Sequence, residues 1–145
     1  MTKGAALFTS TEGIRDAGNV VIVACDRVSF DGISFVRRSP SGVFSYVSSG
    51  TEGKGGNVQI STNTLEVTNG ALLAADTLGI GDAGNIVVNA AKSVNIAGTT
   101  PLTGRSSALF TSTSSEGKGG DIIVNTQAFR LTDGVVLNDE RASRL

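Results

Sequence analysis

One short phrase recurs four times along this chain and constrains its fold more than any other feature. It reads Gly18-Asn19-Val20, Gly56-Asn57-Val58, Gly84-Asn85-Ile86 and Gly120-Asp121-Ile122, at intervals of 38, 28 and 36 residues (18 to 56, 56 to 84, 84 to 120). After each anchor, apolar residues fall on alternate positions: Val20 and Ile22, Val58 and Ile60, Ile86 and Val88, Ile122 and Val124. Alternation of this kind marks a strand with one buried face. A second strand follows, with inward pairs Val28 and Phe30, Leu65 and Val67, Val94 and Ile96, Phe129 and Leu131, each ending at Gly32, Gly70, Gly98 or Gly134. A third strand is expected over 43–48, 71–76, 108–113 and 135–138, and over 6–11 ahead of the first copy; Ala-Leu-Phe-Thr-Ser-Thr stands at both 6–11 and 108–113. One such unit cannot close a core alone, but stacked units can. The expectation is an all-β chain, a parallel β-helix (solenoid) of about four coils with three short strands per coil and a spacing of about 4.8 Å between coils.

The longer copies carry inserts at 33–42 and 99–107, each holding one proline (Pro40, Pro101) and arginine (Arg37 and Arg38, then Arg105). The second copy instead passes straight through Asn69 and Gly70, so the unit reads as a pair of coils about 65 residues long (18 to 84 is 66, 56 to 120 is 64). The spacing from anchor to second strand alternates likewise, nine, eight, nine, eight. Residues 1–138 form a single repeat segment and 139–145 leave the pattern. Three positions before each Asn or Asp stand Asp16, Lys54, Asp82 and Lys118. Stacked, these make a column of alternating sign, which sets the register between coils more than it binds an ion. Asn19, Asn57 and Asn85 form the next column, expected as an amide ladder linked side chain to side chain. Asp121 would end it, because a carboxylate cannot donate.

Composition closes off most chemistry. There is no histidine, which excludes histidine-based triads and zinc sites. A net charge of -1 gives no footprint for nucleic acid, and lone Cys25 cannot form an internal disulfide. Nineteen glycines in 145 residues is about twice average usage and suits many tight corners. Gly79-Ile80-Gly81-Asp82-Ala83-Gly84 matches a dinucleotide-loop pattern, but the residues after it alternate as a strand where a helix is required. Gly53-Lys54-Gly55 and Gly117-Lys118-Gly119 lack the Ser or Thr of a phosphate loop. Glycine turns come once per coil, unlike tandem calcium-binding nonapeptides. A polysaccharide-degrading enzyme would need paired carboxylates, yet Asp26, Asp31, Glu66, Asp76 and Asp133 lie in different columns. Glu12, Glu52 and Glu116 share one turn, each with a basic residue nearby, and read as a solvated corner. No catalytic residue, metal or cofactor is expected.

The phrases Asp82-Ala83-Gly84-Asn85-Ile86-Val87-Val88-Asn89 and Leu65-Glu66-Val67-Thr68-Asn69-Gly70-Ala71, with Pro40-Ser41-Gly42-Val43-Phe44-Ser45 entering a third strand, resemble the repeats of filamentous-haemagglutinin-like exoproteins, most closely those of cyanobacterial type. The resemblance covers about residues 4 to 138. It implies a right-handed parallel β-helix stalk, sent out by two-partner secretion through an outer-membrane exporter and placed at the cell surface or released. It implies a structural and adhesive role toward surfaces, host or neighbouring cells, or matrix. The chain is expected to be a slice of such a protein, since it has no signal peptide, no Asn-Pro dipeptide and no secretion domain of that family.

For ligand contact the sequence nominates Arg37, Arg38 and Arg105, on two loops projecting from one corner about 10 Å apart. An anionic surface polysaccharide is the partner this charge suits. Exposed strand edges at both ends of the stack also lead to an expectation of end-to-end self-association.

Overall fold

The structure is a computed structural model that describes residues 1–101, 103–133 and, as backbone, 136–140. It contains ten strands among these residues and no helix: β1 (Ala6–Thr11), β2 (Val20–Val23), β3 (Arg27–Asp31), β4 (Gly42–Val47), β5 (Val58–Thr68), β6 (Leu72–Thr77), β7 (Ile86–Ala97), β8 (Ala108–Thr113), β9 (Ile122–Thr132) and β10 (Val136–Glu140). One sheet has the order β1-β4-β6-β8-β10; in the other β2-β5-β7-β9 are consecutive and β3 pairs with β5. All pairings between these strands are parallel.

This corrects the expected architecture. The right-handed β-helix of about four coils with three short strands each gives way to two all-parallel sheets of five strands. The first and second strands of a copy stay separate only in the first copy, as β2 and β3. In the later copies they fuse into β5, β7 and β9, of 11, 12 and 11 residues. The physical reason lies at the expected corner, where the ladder is only shifted: between the pairs Thr62–Ala90 and Thr64–Ser93, one residue of β5 (Asn63) stands against two of β7 (Ala91 and Lys92). A bulge of this kind bends a strand and resets which side chains face inward without ending the pairing. It also absorbs the nine-and-eight alternation in spacing. The off-pattern tail is corrected in part, because Asp139 and Glu140 belong to β10, opposite Thr111 and Ser112. Residues 141–145 lie outside the described residues.

Register joins each residue to its counterpart in the next copy, as in Val20, Val58, Ile86 and Ile122. Apolar columns therefore run through the space between the sheets. Val58, Ile60, Leu65, Val67, Ile86, Val88, Val94 and Ile96 from the second sheet meet Val43, Leu73 and Leu109 from the first, and all are buried. Sheets buried on their inner face in this way draw most of their stability from apolar burial. The first sheet also turns hydroxyls inward, and these reach the glycine anchors: Thr9 Oγ1 and Ser45 Oγ donate to the Gly18 carbonyl, and Thr111 Oγ1 donates to that of Gly120.

At the anchors the backbones of successive copies lie against each other. A Cβ on Gly56 would stand 2.1 Å from the Gly18 carbonyl oxygen, one on Gly84 2.1 Å from that of Gly56, and one on Gly120 1.9 Å from that of Gly84. The asparagine column beside them is a ladder, but of a different kind from the one expected. Each side chain accepts from the next backbone: Asn57 N–H donates to Asn19 Oδ1 (2.8 Å), Asn85 N–H to Asn57 Oδ1 (2.8 Å) and Asp121 N–H to Asn85 Oδ1 (2.7 Å). Asp121 therefore does not break the ladder, since only its amide is used. The charge column is corrected in the same way. Lys54 N–H donates to Asp16 Oδ1 (2.8 Å) and Lys118 N–H to Asp82 Oδ1 (2.9 Å), while no ion pair joins these four side chains among the described residues. The aspartates act as backbone acceptors, and the lysine ammonium groups are not needed for it. A side-chain amide ladder does occur elsewhere, where Asn125 Nδ2 donates to Asn89 Oδ1 (2.9 Å).

Two expectations follow. Gly84→Ala forces stacked backbones apart and lowers stability by about 3 kcal/mol, whereas Gly13→Ala, with nothing within 4 Å of its Cβ position, changes little. Thermal melts should separate the two by roughly 10 °C. Asn57→Ala costs about 1 kcal/mol, and Asn57→Asp costs less than half of that because its carboxylate still accepts; equal losses would mean that the amide hydrogens matter after all.

Candidate functional site

The two inserts fold alike. In the first, Ile33 and Pro40 form an antiparallel bridge, Ser34 N–H donates to the Ser39 carbonyl (2.8 Å) and Arg38 N–H to that of Ser34 (2.8 Å). In the second, Thr99 bridges Ser106, Thr100 N–H donates to the Arg105 carbonyl (2.8 Å) and Gly104 N–H to that of Thr100 (2.9 Å). Arg38 and Gly104 occupy matching left-handed positions, with φ of 53° and 64°. Arg105 therefore matches Ser39, a correspondence hidden by the differing sequences.

Each insert rests on a tight turn of the preceding copy. The turns at Lys3 and Gly4 and at Asn69 and Gly70 have positive φ at both residues (56° and 83°, 54° and 85°). This is the two-residue geometry that glycine and asparagine tolerate best. Gly4 N–H donates to Ser41 Oγ (2.9 Å) and Gly70 N–H to Ser107 Oγ (2.9 Å), and both serines are fully buried. A Cβ on Gly70 would stand 2.0 Å from Thr100 Cγ2, and one on Gly4 2.5 Å from Ser34 Cβ. Turn and insert thus alternate, so the structure repeats every second copy.

Between the inserts lies a cleft of about 540 Å³. Ile33, Arg38 and Pro40 form one wall, Thr103, Arg105 and Ser106 the other, and Gly70, Leu72 and Ala108 the floor. Arg38 and Arg105 both line the cleft, no carboxylate does, and neither arginine has an ion-pair partner among the described residues. Two of the three nominated arginines are brought together. Arg37 is not, for it sits on the exposed turn with its N–H on Ser34 Oγ (3.2 Å). The arrangement suits an extended ligand with carboxylate or sulfate groups, which guanidinium groups can hold in bidentate fashion.

The outward face of the first sheet was not nominated from sequence. Phe8 and Phe44 stack there with ring centroids 4.9 Å apart. Beyond them Asp76 Oδ1 accepts from Ser112 N–H (3.1 Å) and Ser112 Oγ (3.3 Å). Burial raises the Asp76 carboxyl from 3.8 to about 7, against the opposing pull of the Ser112 hydrogen bonds. The available signal was aromatic residues on the outward phase of the alternation, where apolar groups are not required. Elsewhere, Arg27 and Glu66 form a surface ion pair (3.7 Å), and Cys25 is an exposed free thiol. Among the described residues no group of three or more His, Cys, Asp or Glu could hold a metal ion, and no helix is long and apolar enough to cross a membrane.

Folded protein keeps a proton on Asp76 that the unfolded chain releases as pH rises above 3.8. The stability contributed by this group is therefore fully present below about pH 4 and lost as pH rises through about 7. Asp76→Asn should melt higher than the parent at about pH 8, and the gap should close by about pH 4; a gap independent of pH would contradict this. Comparison of the chain with protein-family models, with curated proteins and with solved structures returns no match.

Proposed function

We propose that this chain is a non-catalytic structural and adhesive segment of a secreted or cell-surface protein of the filamentous-haemagglutinin-like kind, and that it presents a polysaccharide-binding cleft. The repeat phrases support the family reading. The two stacked sheets supply a rigid support for loops that need not be rigid themselves. One observation carries the binding part: Arg38 and Arg105 line a cleft that contains no acidic group. Carboxylates and sulfates of an anionic glycan would replace water around the guanidiniums, at a site where apolar walls lower the local dielectric and strengthen each contact. The acidic side chains support a non-catalytic reading, since the carboxylate with a raised pKa, Asp76, is bonded to Ser112 and, among the described residues, is not paired with a second acid.

Retention on immobilised polygalacturonate and on a sulfated glycan tests this. The double variant Arg38→Ala with Arg105→Ala should lose about 2 kcal/mol of binding, roughly thirtyfold. Arg37→Ala should lose far less. Equal retention of the double variant and the parent would remove the cleft from the binding account.

A further inference from the structure

The outward phase of the first sheet carries the column Phe8, Phe44, Ala74 and Phe110, four consecutive partners in register. The Phe8 and Phe44 rings are near parallel, at 17°, and their 4.9 Å separation is the strand spacing itself. Aromatic stacking therefore runs up the column as far as Phe44 and is interrupted at Ala74, which has no ring. Beside the interruption is a hollow of about 170 Å³, with Ala74 buried at its floor. Phe44, Tyr46, Asp76 and the half-exposed Leu78 line it. It is well below the roughly 300–1,000 Å³ of pockets that enclose drug-sized ligands, and suits a single ring.

The polar groups at its rim say which ring. Both Ser112 bonds fall on Asp76 Oδ1, and among the described residues none falls on Oδ2, which is free to accept once the carboxyl ionises above about pH 7. An aromatic face beside a carboxylate oxygen matches a molecule with one apolar face and hydroxyl donors at its edge. The hollow lies on the same sheet face as the floor of the arginine cleft. Leu72 and Ala108 form the cleft floor, and Ala74 and Phe110 lie two residues further along the same strands, on the same face and about 7 Å away.

We propose that the hollow beside Phe44 over Ala74 is a seat for one pyranose ring of the bound glycan. The carbon–hydrogen face of the sugar stacks on Phe44, its hydroxyls donate to Asp76 Oδ2, and the neighbouring sugars run into the cleft between Arg38 and Arg105. The seat rests on the reading that this face meets a polysaccharide, but it makes a separate demand, because it binds uncharged sugar.

Tyr46 is the only tyrosine and the chain has no tryptophan, so intrinsic emission reports from the wall of the hollow. At about pH 8, where the Asp76 carboxyl is ionised, the full chain is titrated with cellohexaose, a neutral oligosaccharide, and with hexagalacturonate. Saturable changes in Tyr46 emission are expected with both. Phe44→Leu keeps apolar volume but removes the flat face, and should weaken both at least about tenfold. Ala74→Phe places a side chain of the protein's own in the seat and should do the same, with melting curves confirming that each variant is folded. Absence of a saturable change with either sugar overturns the seat, as do unchanged titrations in folded Phe44→Leu. An emission change that appears without sugar and follows dimer formation in sedimentation also overturns it, assigning the hollow to a second copy. If cellohexaose fails while the arginine pair still controls retention on polygalacturonate, the seat falls and the cleft stands. If cellohexaose binds and retention ignores the arginines, the seat stands and the cleft falls.

Discussion

Everything in this molecule depends on backbone lying directly on backbone at the glycine anchors. Gly56, Gly84 and Gly120 sit so close to the anchor before them that a single Cβ would reach into its carbonyl. That contact fixes the spacing at which the asparagine side chains can accept the next amide, and the same spacing brings the inward hydroxyls of the first sheet onto the glycine carbonyls. Apolar columns then follow, because residues held in exact partnership along parallel strands must repeat their chemistry or leave voids. The glycine abundance of the chain is thus concentrated where removal of a side chain permits close approach, and only part of it serves unusual backbone angles.

Much of this was legible in the sequence, and the limits have physical causes. Period-two alternation located the inward positions, because burial on one sheet face admits little else. The anchors and inserts were visible as spacings. The corner between first and second strands was not, since a bulge such as that at Thr62 to Thr64 has the same local signature as a turn: a break in phase between two alternating runs. Ladders were placed on the right residues with the wrong chemistry. Asn19 and Asp16 each have an acceptor oxygen, and the sequence cannot say whether a neighbouring side chain or a neighbouring amide will use it. The identical hexapeptides at 6–11 and 108–113 show the same limit: Leu7 is 41% exposed and Leu109 is fully buried, since β1 stands at the edge of its sheet and β8 lies within it.

The candidate site shows how a regular scaffold makes an irregular surface. Sheet positions facing inward are constrained by their neighbours above and below, whereas outward positions are free to differ from copy to copy. Arg38 and Arg105 line one cleft although their inserts place them at non-equivalent positions, and Ala74 interrupts a column that is otherwise aromatic at Phe8, Phe44 and Phe110. Such departures are invisible to a reading that looks for what repeats. They are also where recognition chemistry can be introduced without disturbing the core.

Insert and tight turn alternate because each insert needs a flat turn such as Asn69 and Gly70 to rest upon, so neighbouring copies cannot both project. An array continuing this alternation would offer one cleft every two strand spacings, about 9.6 Å. A polymer captured in one cleft is then tethered beside the next, and its effective concentration there far exceeds that in solution. Grip on a long glycan would grow with the number of clefts engaged, while any single contact stayed weak enough to release.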